Sequence, residues 1–353
     1  MKQDITVLGI MSGTSLDGLD LALCSFSMSG DRIDYVIHKA ITIPYTTEFR
    51  NSLSGICQSG ALELSLLNVR YGEWIGEQCL QFLKVCSLKP QLVASHGHTV
   101  FHRPDIRFTL QIGSGAAIAA VTGITTVSDF RSLDVALGGQ GAPLVPLGDR
   151  LLFGNHAACI NLGGFANISF PENGRQNAFD ICPANIILNS LASKLGYAMD
   201  ESGSIAARGT IDPLLLDNLN NLPFYRLPGP KSLGREWTES EIIPLLDASG
   251  ADPVTLLSTF TEHIAIQTAA SIPHSNTGTA LITGGGAHNS YLISRIQQYS
   301  KTKLYLPDEL TIDFKEALIF ALLGALRFLN RNNCLAEVTG AAADSSGGAI
   351  YLR

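Results

Sequence analysis

Three short stretches of this 353-residue chain have the residue types that close contact with phosphate requires. The first is Met11-Ser12-Gly13-Thr14-Ser15-Leu16-Asp17-Gly18. Its glycines let a backbone come close to a ligand, and its hydroxyls and turn N–H groups can donate to one. The second is the turn Gly163-Gly164-Phe165-Ala166-Asn167, and the third is Thr283-Gly284-Gly285-Gly286. Each has a plain alternative, because Gly, Ser and Asp also build ordinary tight turns. No G-x-x-x-x-G-K-[ST] occurs, which excludes a Walker-type loop. Among the ionisable groups, Asp180 reads as the end of a strand just before a helix that Pro183 opens. A carboxylate there either faces a cleft or caps its own helix. Arg131, in Ser128-Asp129-Phe130-Arg131, has the planar fork that grips a carboxylate; its alternative is a surface ion pair with Asp129 or Asp134. His96, His98 and His102 are spaced H-x-H-x-x-x-H, but Val100 and Phe101 stand where a metallo-hydrolase would continue with Asp-His. No metal site is predicted from them.

These residues need a scaffold, and the chain pattern indicates one. Strands over 5–10 and 19–26 read as a hairpin closed by the first loop, and strands over 157–162 and 168–170 as a second hairpin. The recurrence suggests a duplicated domain. Between them, 62–85 has helical spacing, 92–94 is a strand running into Ser95-His96-Gly97-His98, 109–112 and 124–127 are strands, and 116–121 starts a helix. In the second half a strand ends at 178–180, a helix runs from Pro183 to about 195, 223–230 is a loop and 256–270 a helix. A strand over 280–283 meets the triple glycine, helices follow near 289–298 and 314–329, and no low-complexity tail is present. The glycine- and proline-rich stretch 137–146 marks the first domain crossing. Domains are therefore predicted at 1–140 and 141–353, with 338–353 packing back on the first.

Composition narrows the class. Hydrophobic residues make up 46% and charged residues 16%, as in α/β proteins whose sheets are covered on both faces. The net charge of -7 argues against a nucleic-acid partner, which would require a basic stripe. Seven scattered cysteines without a C-x-x-C pair argue against a disulfide framework and point to a cytoplasmic setting. Met1-Lys2-Gln3-Asp4 enters a strand-like run directly, without signal-peptide features, and the longest apolar run, 317–326, is about half of the ~20 residues a membrane span needs. No membrane partner is expected.

Two polar hairpin loops followed by strand–triple glycine–helix is the order used by actin-like and hexokinase-like kinases. In those proteins one hairpin from each domain grips the phosphates and the glycine turn holds adenosine. Seven segments carry a closer resemblance: 9–18 (GIMSGTSLDG), 95–99 (SHGHT), 128–131 (SDFR), 161–168 (NLGGFANI), 230–237 (PKSLGREW), 283–289 (TGGGAHN) and Glu316-Ala317. In sequence and order they resemble the anhydro-N-acetylmuramic acid kinases, across nearly the whole chain. The resemblance implies two actin-like (ribonuclease H-like) α/β domains with a nucleotide cleft between them, with ATP and Mg2+ as cofactors. It implies that ATP and water open 1,6-anhydro-N-acetylmuramic acid and leave phosphate on the sugar 6-oxygen, giving N-acetylmuramate 6-phosphate in peptidoglycan recycling.

Carried over residue by residue, the resemblance assigns nucleotide contacts to Gly13, Thr14, Ser15, Leu16, Asp17 and Gly18, to Gly163 and Gly164, and to Gly284, Gly285, Gly286 and Asn289. It assigns sugar contacts to His96, Thr99, Arg131, Asn185 and Glu316, with Asp180 as the general base. A homodimer is left open. The chain also departs from the family pattern Phe-Asp-Thr-Gly-Pro-Gly-Asn, reading Phe179-Asp180-Ile181-Cys182-Pro183-Ala184-Asn185. Gly203-Ser204 replaces a more acidic segment, and Met11 stands where the wider superfamily has an Asp, leaving Asp17 for an indirect Mg2+ contact. Three other readings compete. One is a related kinase for a different amino or anhydro sugar. Another is a dinucleotide oxidoreductase built on Thr109-Leu110-Gln111-Ile112-Gly113-Ser114-Gly115 with Asp129, although Ile118 stands where its third glycine belongs. The third is a non-catalytic actin-like ATP-binding protein.

Overall fold

In the computed structural model, the described residues are 3–353 apart from Thr14, Ser15 and Asp31. The chain divides into two compact units, Met1–Leu152 with Phe314–Arg353, and Phe153–Asp313. The first crossing thus falls after residue 152, not within 137–146. That stretch leads into the helix Val145–Leu152, which buries Leu147 and Gly148 inside the first unit. Its glycines and prolines mark a loop, not a boundary. The returning segment begins at Phe314, where the helix Glu309–Phe328 is interrupted by a non-helical residue (φ −116, ψ 17), and not near residue 338.

In the first unit the strands are β1 (Gln3–Ser12), β2 (Gly18–Ser29), β3 (Arg32–Pro44), β4 (Leu92–Ser95), β5 (His98–Arg103), β6 (Phe108–Ile112) and β7 (Thr126–Ser128). The main sheet has the order β7-β4-β1-β2-β3, and the C-terminal strand Ala349–Tyr351 is added beside β7; β5 and β6 form a separate hairpin. β1, β2 and β3 run antiparallel in sequence, while β4 lies parallel to β1 and β7 parallel to β4. β1 buries Val7, Leu8 and Ile10 completely, as a central strand covered on both faces should. The sequence reading passes over β3, because this edge strand is mostly exposed and its polar residues hide the alternation.

In the second unit β8 (Ala158–Leu162), β9 (Phe165–Glu172), β10 (Arg175–Pro183), β11 (Thr279–Thr283) and β12 (Lys303–Tyr305) form a sheet of order β10-β9-β8-β11-β12. The first three are antiparallel, β11 is parallel to β8 and β12 to β11. This repeats the order β3-β2-β1-β4-β7, so the duplication inferred from the two hairpins is a duplication of topology. Two local expectations change. The hairpin turn is only Gly163-Gly164, since Phe165 already pairs with Pro183. Pro183 does not open a helix but ends β10, an edge strand where its missing N–H interrupts little; the helix is Asn185–Ser193. The loop at 223–230 contains a short 3-10 turn, Pro223–Arg226. Among the described residues no helix is long and apolar enough to cross a membrane.

Close helix–sheet contact in the first unit depends on small residues. A Cβ on Gly9 would lie 2.0 Å from the Ala317 carbonyl oxygen, and one on Gly324 would lie 2.4 Å from the Ala94 Cβ. Both glycines let the helix Glu309–Phe328 lie directly on β1 and β4. Gly9→Ala should therefore lower the urea midpoint by the equivalent of about 1–3 kcal/mol, the range for overpacking. Gly55→Ala is the control, because Gly55 is helical (φ −88) with open space around it. It should raise stability by about 0.4–1 kcal/mol.

Candidate active site

Asp180 lies within β10, not at its end, at an irregularity where Asp180 pairs with Asn167 and Cys182 with Ala166, leaving Ile181 over. Such a bulge re-aims the side chains beside it. The Asp180 N–H donates to the Lys231 carbonyl (3.0 Å), and its Oδ2 accepts from the Leu233 N–H (2.8 Å). It does not cap the following helix. Ala184 holds the cap position, and the Ala184 and Ile186 N–H groups donate to the Gly164 carbonyl while that of Asn185 donates to Gly163. No cation among the described residues lies within ion-pair distance of Asp180. Burial raises its pKa above the usual carboxylate value, and the Leu233 N–H pulls it partly back. The result is a desolvated carboxylate with increased proton affinity, one free oxygen and no salt bridge, as a general base requires.

The glycine turns of the second unit meet each other. Gly284 has φ 82, and a Cβ on it would fall 2.4 Å from Asn161 Oδ1; one on Gly286 would fall 2.7 Å from the Leu162 Cβ. The Asn185 side chain, expected at the sugar, donates to the Leu162 carbonyl (3.0 Å) and so ties the helix start to the hairpin. Gly284 and Gly286 are therefore demanded by the fold itself. Gly285 and Gly164 are not. A Cβ on Gly285 would meet only Asn185, at 3.8 Å, and one on Gly164 would meet nothing within 4 Å. These two glycines leave open backbone that a flat ligand can approach. Asn289 caps the helix Ser290–Tyr299 by accepting from the Leu292 N–H (2.9 Å), and it is lodged against Gly203, where a Cβ would stand 2.3 Å from its Oδ1. That packing accounts for Asn289 without a ligand.

In the first unit, the Leu16 N–H donates to the Gly13 carbonyl (3.3 Å), and Asp17 is exposed. Thr14 and Ser15 lie outside the described residues. Gly18 is needed where β2 meets β3, since a Cβ would fall 2.7 Å from the Ile43 carbonyl oxygen. His96 is buried and donates from Nδ1 to the Gly97 carbonyl (2.8 Å), which leaves Nε2 to accept from Arg131 Nε (2.9 Å). Burial and the Arg131 charge hold its pKa well below the normal value, so it stays neutral. Arg131 also donates to the Gly141 carbonyl (2.5 Å). The predicted alternative of a pair with Asp129 or Asp134 does not occur. Asp129 accepts from Ser132, and Asp134 accepts from the Gly141 N–H and the Thr339 hydroxyl. Burial pushes the Arg131 pKa down to about 10, and the nearby Glu316 charge raises it. Burial raises the Glu316 pKa, with Lys315 and Arg131 opposing.

His96 thus acts on Arg131 and offers no free nitrogen to a sugar. Thr99, on β5, accepts a long bond from Gln111 (3.4 Å), and His102 is bonded to Thr109 (3.1 Å). Among the described residues no group of three His, Cys, Asp or Glu side chains is placed to hold a metal ion. Two partners escaped the sequence reading. His98 Nδ1 lies 3.2 Å from Ser12 Oγ, which also accepts from Tyr45, and Leu233 reaches Asp180 through its backbone. A backbone donor leaves no residue-type signature, so no sequence signal could have found the second.

Two sheets of the same five-strand order, each opening on an antiparallel hairpin with a small-residue turn, define an actin-like protein made of two ribonuclease H-like units. The sequence profile of the family described as "Anhydro-N-acetylmuramic acid kinase" matches residues 5–353. The anhydro-N-acetylmuramic acid kinase of Nitrosomonas europaea is 36% identical over 363 residues, covering 98% of this chain and 99% of that one. The enzyme of that name from Pseudomonas fluorescens is 37% identical over 366 residues, with 98% of each chain covered. The chain belongs to the anhydro-N-acetylmuramic acid kinase family. Among solved structures, component A of the (R)-2-hydroxyglutaryl-CoA dehydratase of Acidaminococcus fermentans aligns with a TM-score of 0.47 and 14% identity, over 91% of this chain and 97% of that one.

The Asp180 environment makes a stability prediction. A carboxylate whose pKa is higher folded than unfolded favours the native state at low pH and loses that advantage as pH rises through the two values. At neutral pH the half-buried charge therefore weighs against folding. Asn can still accept from the Leu233 N–H, so Asp180→Asn should be at least as stable as the parent at pH 7.5. A scan of Tm against pH checks this; a clear fall in Tm would mean that the charge holds the fold together.

Proposed function

We propose that this chain is an ATP-dependent kinase that opens 1,6-anhydro-N-acetylmuramic acid with water and phosphorylates the sugar 6-oxygen, a step of cell-wall sugar recycling. Family membership over residues 5–353 supports the reaction class, and the one observation that carries the mechanism is the desolvated, cation-free Asp180 carboxylate with its single backbone donor. Asp180 takes a proton from the water that attacks the anomeric carbon. The bond from that carbon to the bridging oxygen breaks, and the released 6-oxygen attacks the γ-phosphate of ATP. The products are N-acetylmuramate 6-phosphate, ADP and the proton left on Asp180.

The remaining assignments rest on chemistry at each position. Gly285 and Gly164 supply open backbone for the nucleotide. Arg131 is held by two neutral acceptors, with guanidinium N–H groups left over, which suits it to the lactyl carboxylate of the sugar. Glu316 and Thr99 remain assigned to the sugar. Mg2+ supplies charge neutralisation to the phosphates when it arrives with ATP. Asp17 is exposed and pairs with no cation among the described residues, which fits a contact through water and not direct ligation. A kinase acting on a different anhydro or amino sugar is separated from this reading by a sugar panel with ATP and Mg2+, in which mass spectrometry identifies the phosphorylated product.

Two variants test the roles. Asp180→Asn should lower kcat by at least ~10² with KM for ATP little changed, the usual effect of removing a general base. Retention of more than about a tenth of the turnover would end that assignment. In the parent, activity should fall with decreasing pH at a limb above the ordinary carboxylate range, because the base must be deprotonated to act. Arg131→Ala should raise KM for the lactyl-bearing sugar by about 10- to 100-fold, the loss of a charge-assisted pair, while KM for ATP stays constant. Equal changes in both would assign Arg131 to structure instead.

A further inference from the structure

The segment Pro230-Lys231-Ser232-Leu233-Gly234-Arg235-Glu236-Trp237 is conspicuous in the sequence, yet nothing in the reaction so far uses its side chains. In the second unit it supplies both protein partners of Asp180. The Lys231 carbonyl receives the Asp180 N–H, and the Leu233 N–H reaches Oδ2. The geometry of the base therefore depends on what holds residues 231–233, and three contacts do so. Lys231 Nζ donates to the Phe224 carbonyl (3.1 Å) and sits 4.6 Å from the Phe224 ring centroid and 5.6 Å from that of Phe179. Trp237 packs on Phe224 with ring centroids 5.2 Å apart. Gly229 backs onto Phe179, where a Cβ would fall 2.7 Å from the ring.

Lys231 is the polar member of this clamp. It is half-buried, and no carboxylate among the described residues lies within ion-pair distance. A carbonyl and two ring faces replace part of its hydration. A lysine in such a place fixes a direction, since its donor must meet one particular carbonyl.

We infer that Lys231 is a positioning residue for the reaction: anchored on Phe224, it holds the 231–233 backbone so that the Leu233 N–H stays on one oxygen of Asp180 and the other remains free to take the proton from water. This rests on the assignment of Asp180 as base. The ionisable groups around Asp180 besides Lys231 are Cys182 on the same strand, Tyr225 in the 223–226 turn and His263 behind it. Burial pushes the Cys182 thiol and the Tyr225 phenol far up, and it holds the His263 pKa down at about 3. None of these three changes its charge between about pH 5 and 8, so a displacement of the acid limb on changing Lys231 does not come from them.

The test is the pH profile of kcat/KM for the sugar in Lys231→Met, which keeps the stem and removes the donor, with Lys231→Leu as a second variant that also lacks one. The Leu233 bond lowers the proton affinity of Asp180, so loosening it should move the acid limb to higher pH by about half a unit or more and reduce kcat about tenfold. KM for ATP should not change. Lys231→Arg, which keeps a cationic donor, should hold the limb near its parental position. A merely structural lysine would lower Tm or the active fraction and leave the limb in place, and that result in either folded variant overturns the inference. Asp180→Asn assayed alongside separates the two failures. If it is inactive and the limb of Lys231→Met is parental, only the positioning role falls; if it is active, the base assignment falls as well.

Discussion

A half-buried carboxylate without a cation needs something to replace the water it loses, and for Asp180 that replacement is one backbone N–H from Leu233. This bond sets the character of the second unit's site. With more donors the carboxylate would be a weak base, as carboxylates accepting several backbone bonds are. With none, burial would raise its proton affinity further. One donor leaves it desolvated, oriented and basic. The bulge on β10, the 230–237 segment and the aromatic floor of Phe179, Phe224 and Trp237 can all be understood as support for that single bond.

The first unit solves the converse problem with the same economy. Arg131 is a desolvated cation held by neutral acceptors, the His96 imidazole and the Gly141 carbonyl, not by a carboxylate. Neutral acceptors fix its plane and leave its charge unspent. Burial must then be offset elsewhere, and the nearby Glu316 does part of this by its field. The structural charges are treated differently. Lys315 and Asp149 are buried together at 3.2 Å, and Glu262 is held by Arg295 and Tyr299. Both of these charges are paired, unlike Asp180 and Arg131.

The glycines divide in the same way. Gly9, Gly284 and Gly286 are fixed by atoms that already occupy the space a side chain would need, whereas Gly164 and Gly285 face open space. Composition cannot separate the two groups, because a glycine that admits a helix and a glycine that admits a ligand are the same letter. Only the positions of neighbouring atoms tell them apart.

The sequence by itself determined the repeated hairpins and the strand–triple glycine–helix, because each depends on short-range patterns of apolar and small residues. It also placed the chain in its family. Tertiary structure decided the rest. Strand β3 was hidden by its exposed edge position, and Pro183 looked like a helix start because its tolerance at the end of an edge strand depends on which strand lies outermost. By residue type Asn185 and Asn289 suit ligand contacts, yet one ties the helix start to a hairpin carbonyl and the other caps a helix. His96 was assigned to the sugar, yet both its nitrogens are taken within the first unit. For Asn185 and for Nε2 of His96 the deciding partner is a group distant in the chain that the fold brings in, the Leu162 carbonyl and the Arg131 guanidinium. A side chain's type states what it can bond, but only the packed chain decides which of its bonds are already used.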